Sequence, residues 1–154
     1  MATRSTIALE FADGTVQQIY CHWDGYLEHN GEILLKHYSD PFVLRDLIGM
    51  GDLSSLGKVI GEAHPFSPHT SKEDEALYEA AKAAGYCTFY ARDRGETGVS
   101  AKKFKDFEDY KKNHQYEEYE YILRNIDGKA VWFVSMYEKP YTELAEAFEE
   151  ATAI

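Results

Sequence analysis

Over residues 1 to 23 apolar and polar side chains alternate with a period near two. The runs "STIALEF" and "TVQQIYCHW" flank "ADG", whose Asp13-Gly14 pair suits the positive φ of a tight turn. This pattern predicts an opening β-hairpin. From Tyr26 the spacing lengthens to that of a helix: Leu27, Ile33, Leu34 and Tyr38 gather on one side, with Gly31 a weak point in the middle. A second short helix is expected in "SDPFVLRDLIGMG", with Asp40 as N-cap, Pro41 in the first turn and Gly49 or Gly51 as the stop.

Residues 52 to 70 carry several glycine and proline breaks and read as an ordered surface connection with a helical turn at best. Helical order returns in "SKEDEALYEAAKAAG", where Ser71 caps, Asp74 follows three residues on and Gly85 ends the helix. A short strand, "YCTFYAR", and a loop, "DRGETGVS", come next. "YEEYEYILRN" and "AVWFVSMY" around "IDGK" repeat the Asp-Gly hairpin signal, and "YTELAEAFEEA" closes with a helix whose inner face is Leu144, Ala147 and Phe148. The order hairpin, helices, strand, hairpin, helix predicts an α+β fold. We expect a single domain over residues 1-154, with two β-hairpins and three to five helices packed on antiparallel sheet, since no regular β-α alternation demands parallel strands.

Composition refines this picture. A chain of 154 residues, 44% hydrophobic and 28% charged, suits one globular core. Its longest apolar runs are far too short to span a bilayer, and its start lacks the basic and apolar regions of a signal peptide, so a cytoplasmic location is expected. A formal charge of -11 disfavours direct binding to nucleic acid or to anionic membranes. It suits a basic protein surface, or a small ligand held in a locally polar pocket. Cys21 and Cys87 have no paired metal-type spacing and read as free, buried thiols. No cofactor motif occurs.

The densest chemistry is "YCHWDGY". One reading makes it a corner: Trp23 packs into the core, Asp24-Gly25 turns the chain, and Asp24 caps the helix that follows. The other adds a ligand-site wall, with His22, Trp23, Asp24 and Tyr26 giving stacking surface and hydrogen bonds beside a glycine. A metal site recruiting His22, Asp24, His29 or His37 is disfavoured, because the helical His-to-His register with a neighbouring glutamate is missing. His64 and His69, in the proline-bearing connection, gain no role from the sequence.

Arg92 and Arg94 form a second polar cluster. Arginine forks suit phosphate or carboxylate, although Asp93 and Glu96 stand ready to neutralise them. A third region gathers Tyr110, Tyr116, Tyr119 and Tyr121 around Glu117, Glu118 and Glu120, a tyrosine-bearing acidic surface for protein contact. The chain has no G-x-S-x-G elbow, no cysteine-protease signature and no phosphate-cradling loop with lysine, which favours a binder over an enzyme.

"MATRSTIALEF", "IYCHWDGYLEHNGEILLKHYSDP", "TFYARDRGETG" and "YEYILR" resemble a family of small uncharacterised phage and prophage proteins that carry H-W-D-G-Y after an N-terminal hairpin. In that family proline commonly follows the motif tyrosine; here it is Leu27. The resemblance implies expression in an infected bacterium and accessory action against the host. Three readings follow: stoichiometric inhibition of a host defence or nucleic-acid-associated protein through the acidic, tyrosine-rich surface; a sponge sequestering a nucleotide-derived immune signal; or, third, a small enzyme on a nucleotide or protein substrate. Assembly with further copies of the chain is compatible with each.

Overall fold

The computed structural model describes residues 2 to 152, the last without its side chain. Its first hairpin joins β1 (Ser5–Glu10) to β2 (Val16–Cys21). Gly14 takes φ +90, and the Asp13 carboxylate accepts the Thr15 N–H at 3.0 Å and its hydroxyl at 2.7 Å, which holds the turn. The chain then passes through a π-helical turn, Leu27–Gly31, into α1 (Glu32–His37) and α2 (Pro41–Gly49). Asp40 caps α2 by accepting the Phe42 N–H, and Gly51 follows its end with φ +84.

A short strand, β3 (Leu53–Ser55), precedes α3 (Lys72–Ala83), which the Ser71 hydroxyl caps at the Asp74 N–H and Gly85 terminates at φ +79. β4 (Thr88–Phe89), α4 (Tyr90–Arg94), β5 (Lys102–Phe104) and α5 (Phe107–Asn113) follow. The second hairpin is β6 (Tyr119–Ile126) with β7 (Lys129–Met136), and β8 (Thr142–Glu143) leads into α6 (Leu144–Thr152). Among the described residues these make six α-helices and one eight-stranded sheet, an α+β domain.

The strand order is β4-β3-β2-β1-β6-β7-β8, with β5 also on β2. Within each hairpin the pairing is antiparallel, as expected. At the join it is not: β1 runs parallel to β6, Ser5 beside Tyr119 through Leu9 beside Leu123, and Cys21 of β2 pairs in parallel with Leu53. The sheet is therefore mixed, because two hairpins far apart in sequence dock side by side without a turn between them to impose an antiparallel sense. β1 lies between two neighbours and is buried on both faces, so Ile7, Ala8 and Leu9 are all core residues.

One core layer packs Ile7, Ile19, Tyr121, Leu123 and Trp132 with α1, α2 and α6 through Leu34, Leu44, Leu47 and Leu144. The opposite layer joins Ala8, Val16, Phe104, Tyr110 and Ile122. Two local readings need correction. The stretch 52 to 70 is not only a surface connection, since Leu53, Ser54 and Leu56 are buried in or beside β3. "YCTFYAR" is a strand for two residues only and then turns into α4, because the Asp93 carboxylate accepts the Phe89 N–H at 2.8 Å and curls the chain. No helix is long and apolar enough to cross a membrane among the described residues.

Candidate functional site

The H-W-D-G-Y corner begins as an extension of the sheet: the His22 and Trp23 N–H groups donate to the carbonyls of Leu53 and Ser54 at 3.1 and 3.0 Å. Asp24 then enters the left-handed region, at φ 58, and reverses the chain. Gly25 presses against residues 3 to 5. Its N–H donates to the Thr3 carbonyl at 2.8 Å, and a Cβ there would lie 2.7 Å from that of Ser5 and 3.0 Å from the Arg4 carbonyl group. Only glycine fits. The hydroxyl of fully buried Tyr121 donates to the Gly25 carbonyl at 2.6 Å and anchors the corner to β6.

Asn30, wholly buried, fixes the far side. Its amide nitrogen lies within 3.1 to 3.4 Å of Ser5 Oγ, Cys21 Sγ and the Trp23 carbonyl, and its backbone N–H donates to the Asp24 carbonyl at 3.2 Å. The Asp24 side chain does not cap the following turn, contrary to expectation. That turn starts at Tyr26 with no side-chain cap, and the Asp24 carbonyl does the work instead.

The larger correction concerns Trp23, which is 45% exposed rather than in the core. The reversal at Asp24 leaves its indole outside the sheet, and the buried tryptophan is Trp132 on β7. The His22 ring meets the Trp23 ring edge-on at 4.8 Å, and the Tyr20 hydroxyl lies 2.7 Å from His22 Nδ1. Burial pushes the Tyr20 phenol up to about 12, so it is protonated at neutral pH.

Trp23 and Asp24 line a cleft of about 590 Å³ between the corner and α3. Phe66, Tyr78 and Tyr86 add aromatic walls; Ser54, Ser55 and Thr88 come from β3 and β4; His29 and His37 come from the π-turn and α1. Lys82, in the last turn of α3, reaches the hydroxyls of Ser55 and Thr88 at 2.5 and 2.9 Å. Burial pulls its ammonium below the usual lysine range. Sequence reasoning passed over Lys82, although its i,i+4 spacing from Tyr78 puts both on one helical face. Asn30, Ser55 and Thr88 carried no signal of their own.

The two arginines part company. Arg92 is structural: all five of its N–H groups are engaged, by the Asp93 carboxylate through Nε and Nη2 at 2.9 and 3.1 Å, and by the carbonyls of Ile60, Gly61 and Cys87. It has nothing left for a ligand. Asp93, with no exposed side chain, also accepts the His64 and Phe89 N–H groups. Burial alone would raise its pKa, but these hydrogen bonds outweigh burial and hold the carboxyl below its usual range. Arg94 stacks over Phe66 and Tyr90 at 4.6 and 4.8 Å and pairs with Glu96 at 2.7 Å. Phe66 lines the cleft and Arg94, stacked on it, does not, and His22 and Tyr26 are likewise outside the lining.

The expected acidic tyrosine surface is only partly a surface. Tyr110 and Tyr121 are fully buried, and Glu120 accepts His114 Nε2 at 2.5 Å and the Tyr141 hydroxyl at 2.9 Å inside the sheet-α5 layer. Glu120 cannot meet a partner, because β6 is a central strand covered on both faces. Tyr119 is half-buried against Tyr121 and Tyr137, and Glu117 and Glu118 are half-buried beside Gln115 and Arg4. Tyr116 alone of that group is well exposed.

Cys21 and Cys87 are both buried free thiols, and burial pushes Cys21 up to about 12. Among the described residues no three His, Cys, Asp or Glu side chains gather as a metal site would require. No family model, curated protein or solved structure matches the chain.

Proposed function

We propose that the protein captures a small, ring-bearing ligand of the nucleotide class in the cleft beside Trp23, acting as a sponge rather than as a catalyst. The observation that carries this reading is Trp23 itself: a large indole left nearly half exposed on a corner that Tyr121, Asn30 and Gly25 lock in place. Exposing an indole forgoes the burial that most tryptophans gain, and a rigid aromatic surface binds a planar ring at little entropic cost. The cleft volume falls within the roughly 300–1,000 Å³ common for small-ligand sites. The phage setting implied by the sequence resemblance agrees with sequestration of a nucleotide-derived immune signal.

Inhibition of a host protein through an acidic tyrosine surface is the weaker reading, since Glu120, Tyr110 and Tyr121 are removed from any surface. Calorimetry and intrinsic fluorescence against a panel of nucleosides and nucleotides test the proposal. Ligand should quench the exposed Trp23 rather than the buried Trp132, and Trp23→Ala should abolish the quench and, for nucleosides, the heat. Binding that survives Trp23→Ala unchanged refutes it.

A further inference from the structure

Resting on that reading of the cleft, we infer that Lys82, with the hydroxyls of Ser55 and Thr88, forms the seat for the ligand's anionic group, a phosphate ester. Ser55 and Thr88 stand opposite each other on β3 and β4, and Lys82 comes to them from α3. One ammonium and two rotatable hydroxyls thus converge on one point. Such a trio can donate to several oxygens at once, and a phosphate ester presents three terminal oxygens where a carboxylate presents two.

The charge pattern argues the same way. The chain has 27 Asp and Glu against 16 Lys and Arg, yet the cleft lining contains Lys58 and Lys82 and a single carboxylate, Asp24. Among the described residues Lys82 makes no ion pair. The Tyr78 ring, 5.4 Å from Nζ, adds a cation–π contact. Asp93 and Asp24 act on this half-buried cation only from beyond ion-pair distance, and burial outweighs them and pulls its pKa down. A bound phosphate supplies a counter-charge at contact distance. Trp23 and Lys82 line the same cleft, so a nucleotide spans them with its base at the indole and its phosphate at the ammonium.

Titration with inorganic phosphate at constant ionic strength, followed through the amide resonances of Ser55 and Thr88, tests the seat. Wild type should give saturable shifts. Lys82→Met should bind about ten- to a hundredfold more weakly, the size of one lost hydrogen bond to a charged group, and Lys82→Arg should recover part of the loss. Should Lys82→Met melt early, the double variant Ser55→Ala, Thr88→Ala carries the test and should also weaken binding. Unchanged phosphate affinity in a folded Lys82→Met variant, or no saturable response in wild type, overturns the seat. Nucleosides without phosphate keep the two ideas apart. Trp23-dependent nucleoside binding without a phosphate response refutes the anion seat and spares ring capture. A Lys82-dependent phosphate response with no nucleoside or nucleotide stacking on Trp23 refutes ring capture and leaves the Lys82 seat standing.

Discussion

The corner after β2 and the strand β6 are both crowded with aromatic and ionisable side chains, and they dispose of them in opposite ways. At the corner the chain leaves the sheet through a left-handed residue, Asp24, so Trp23 projects into solvent while the backbone around it is clamped by Gly25, Asn30 and Tyr121. On β6 a parallel neighbour on one edge and an antiparallel one on the other hold the strand in the middle of the sheet, and Tyr121 and Glu120 are sealed in on opposite faces. The two regions are also joined, since Tyr121 of the strand supplies the hydrogen bond that holds the corner. Burial here follows position in the sheet, not side-chain type.

That contrast can be broken most forcefully at Glu120. Glu120→Ala strands the buried Nε2 of His114 and removes a charged acceptor from the Tyr141 hydroxyl, and should cost about 3–5 kcal/mol by urea denaturation, as for a buried pair stripped of one partner. Because Glu120 Oε2 has no hydrogen-bond partner among the described residues, replacing Glu120 and His114 together by apolar residues of similar volume should cost much less. A small effect of Glu120→Ala alone would place the strand face in contact with water. Next comes the link between the regions: Tyr121→Phe leaves the Gly25 carbonyl unsatisfied and should destabilise by about 1–3 kcal/mol. The same variant should loosen the corner, read as faster amide exchange at Gly25 and Asn30.

Asp93 sharpens the comparison by pH. Its carboxyl is held below the usual range in the folded protein, so its stabilisation is present above its unfolded value and is lost as pH falls through the depressed folded value. Melting temperature should therefore drop through that acid window in wild type and drop less in Asp93→Asn. An equally steep fall in both would remove Asp93 as a cause. His114 has the opposite sign: burial opposes protonation, but bonding to Glu120 wins and raises its pKa. Its contribution is complete below the unfolded histidine value and fades as pH rises through the folded one. The smallest expected effect is Trp23→Ala, within about 0.5 kcal/mol of wild type because the indole is exposed. A loss of about 3–5 kcal/mol, typical of a buried aromatic, would erase the difference between the two regions.

Local chemistry alone determined much of this molecule. Asp40 and Ser71 cap the helices assigned to them, both Asp-Gly pairs make hairpins, and Leu144 and Ala147 face inward on α6, because a cap, a turn or a helical stripe involves residues only a few positions apart. The corner at Asp24-Gly25 was legible for the same reason. What the sequence left undecided depends on residues that meet only after folding. Tyr121 and Gly25 lie 96 positions apart, Arg92 reaches back to Ile60 and Gly61, and Lys82 finds Ser55 across 27 residues. The parallel join of β1 to β6 belongs with them. Alternation along β6 says that two faces exist but not that both are covered, and a tryptophan beside a turn carries no record of which side of the sheet will close over it. Whether a side chain ends in core, cleft or solvent is set by the distant segment that packs against it, and only the tertiary structure brings that segment into place.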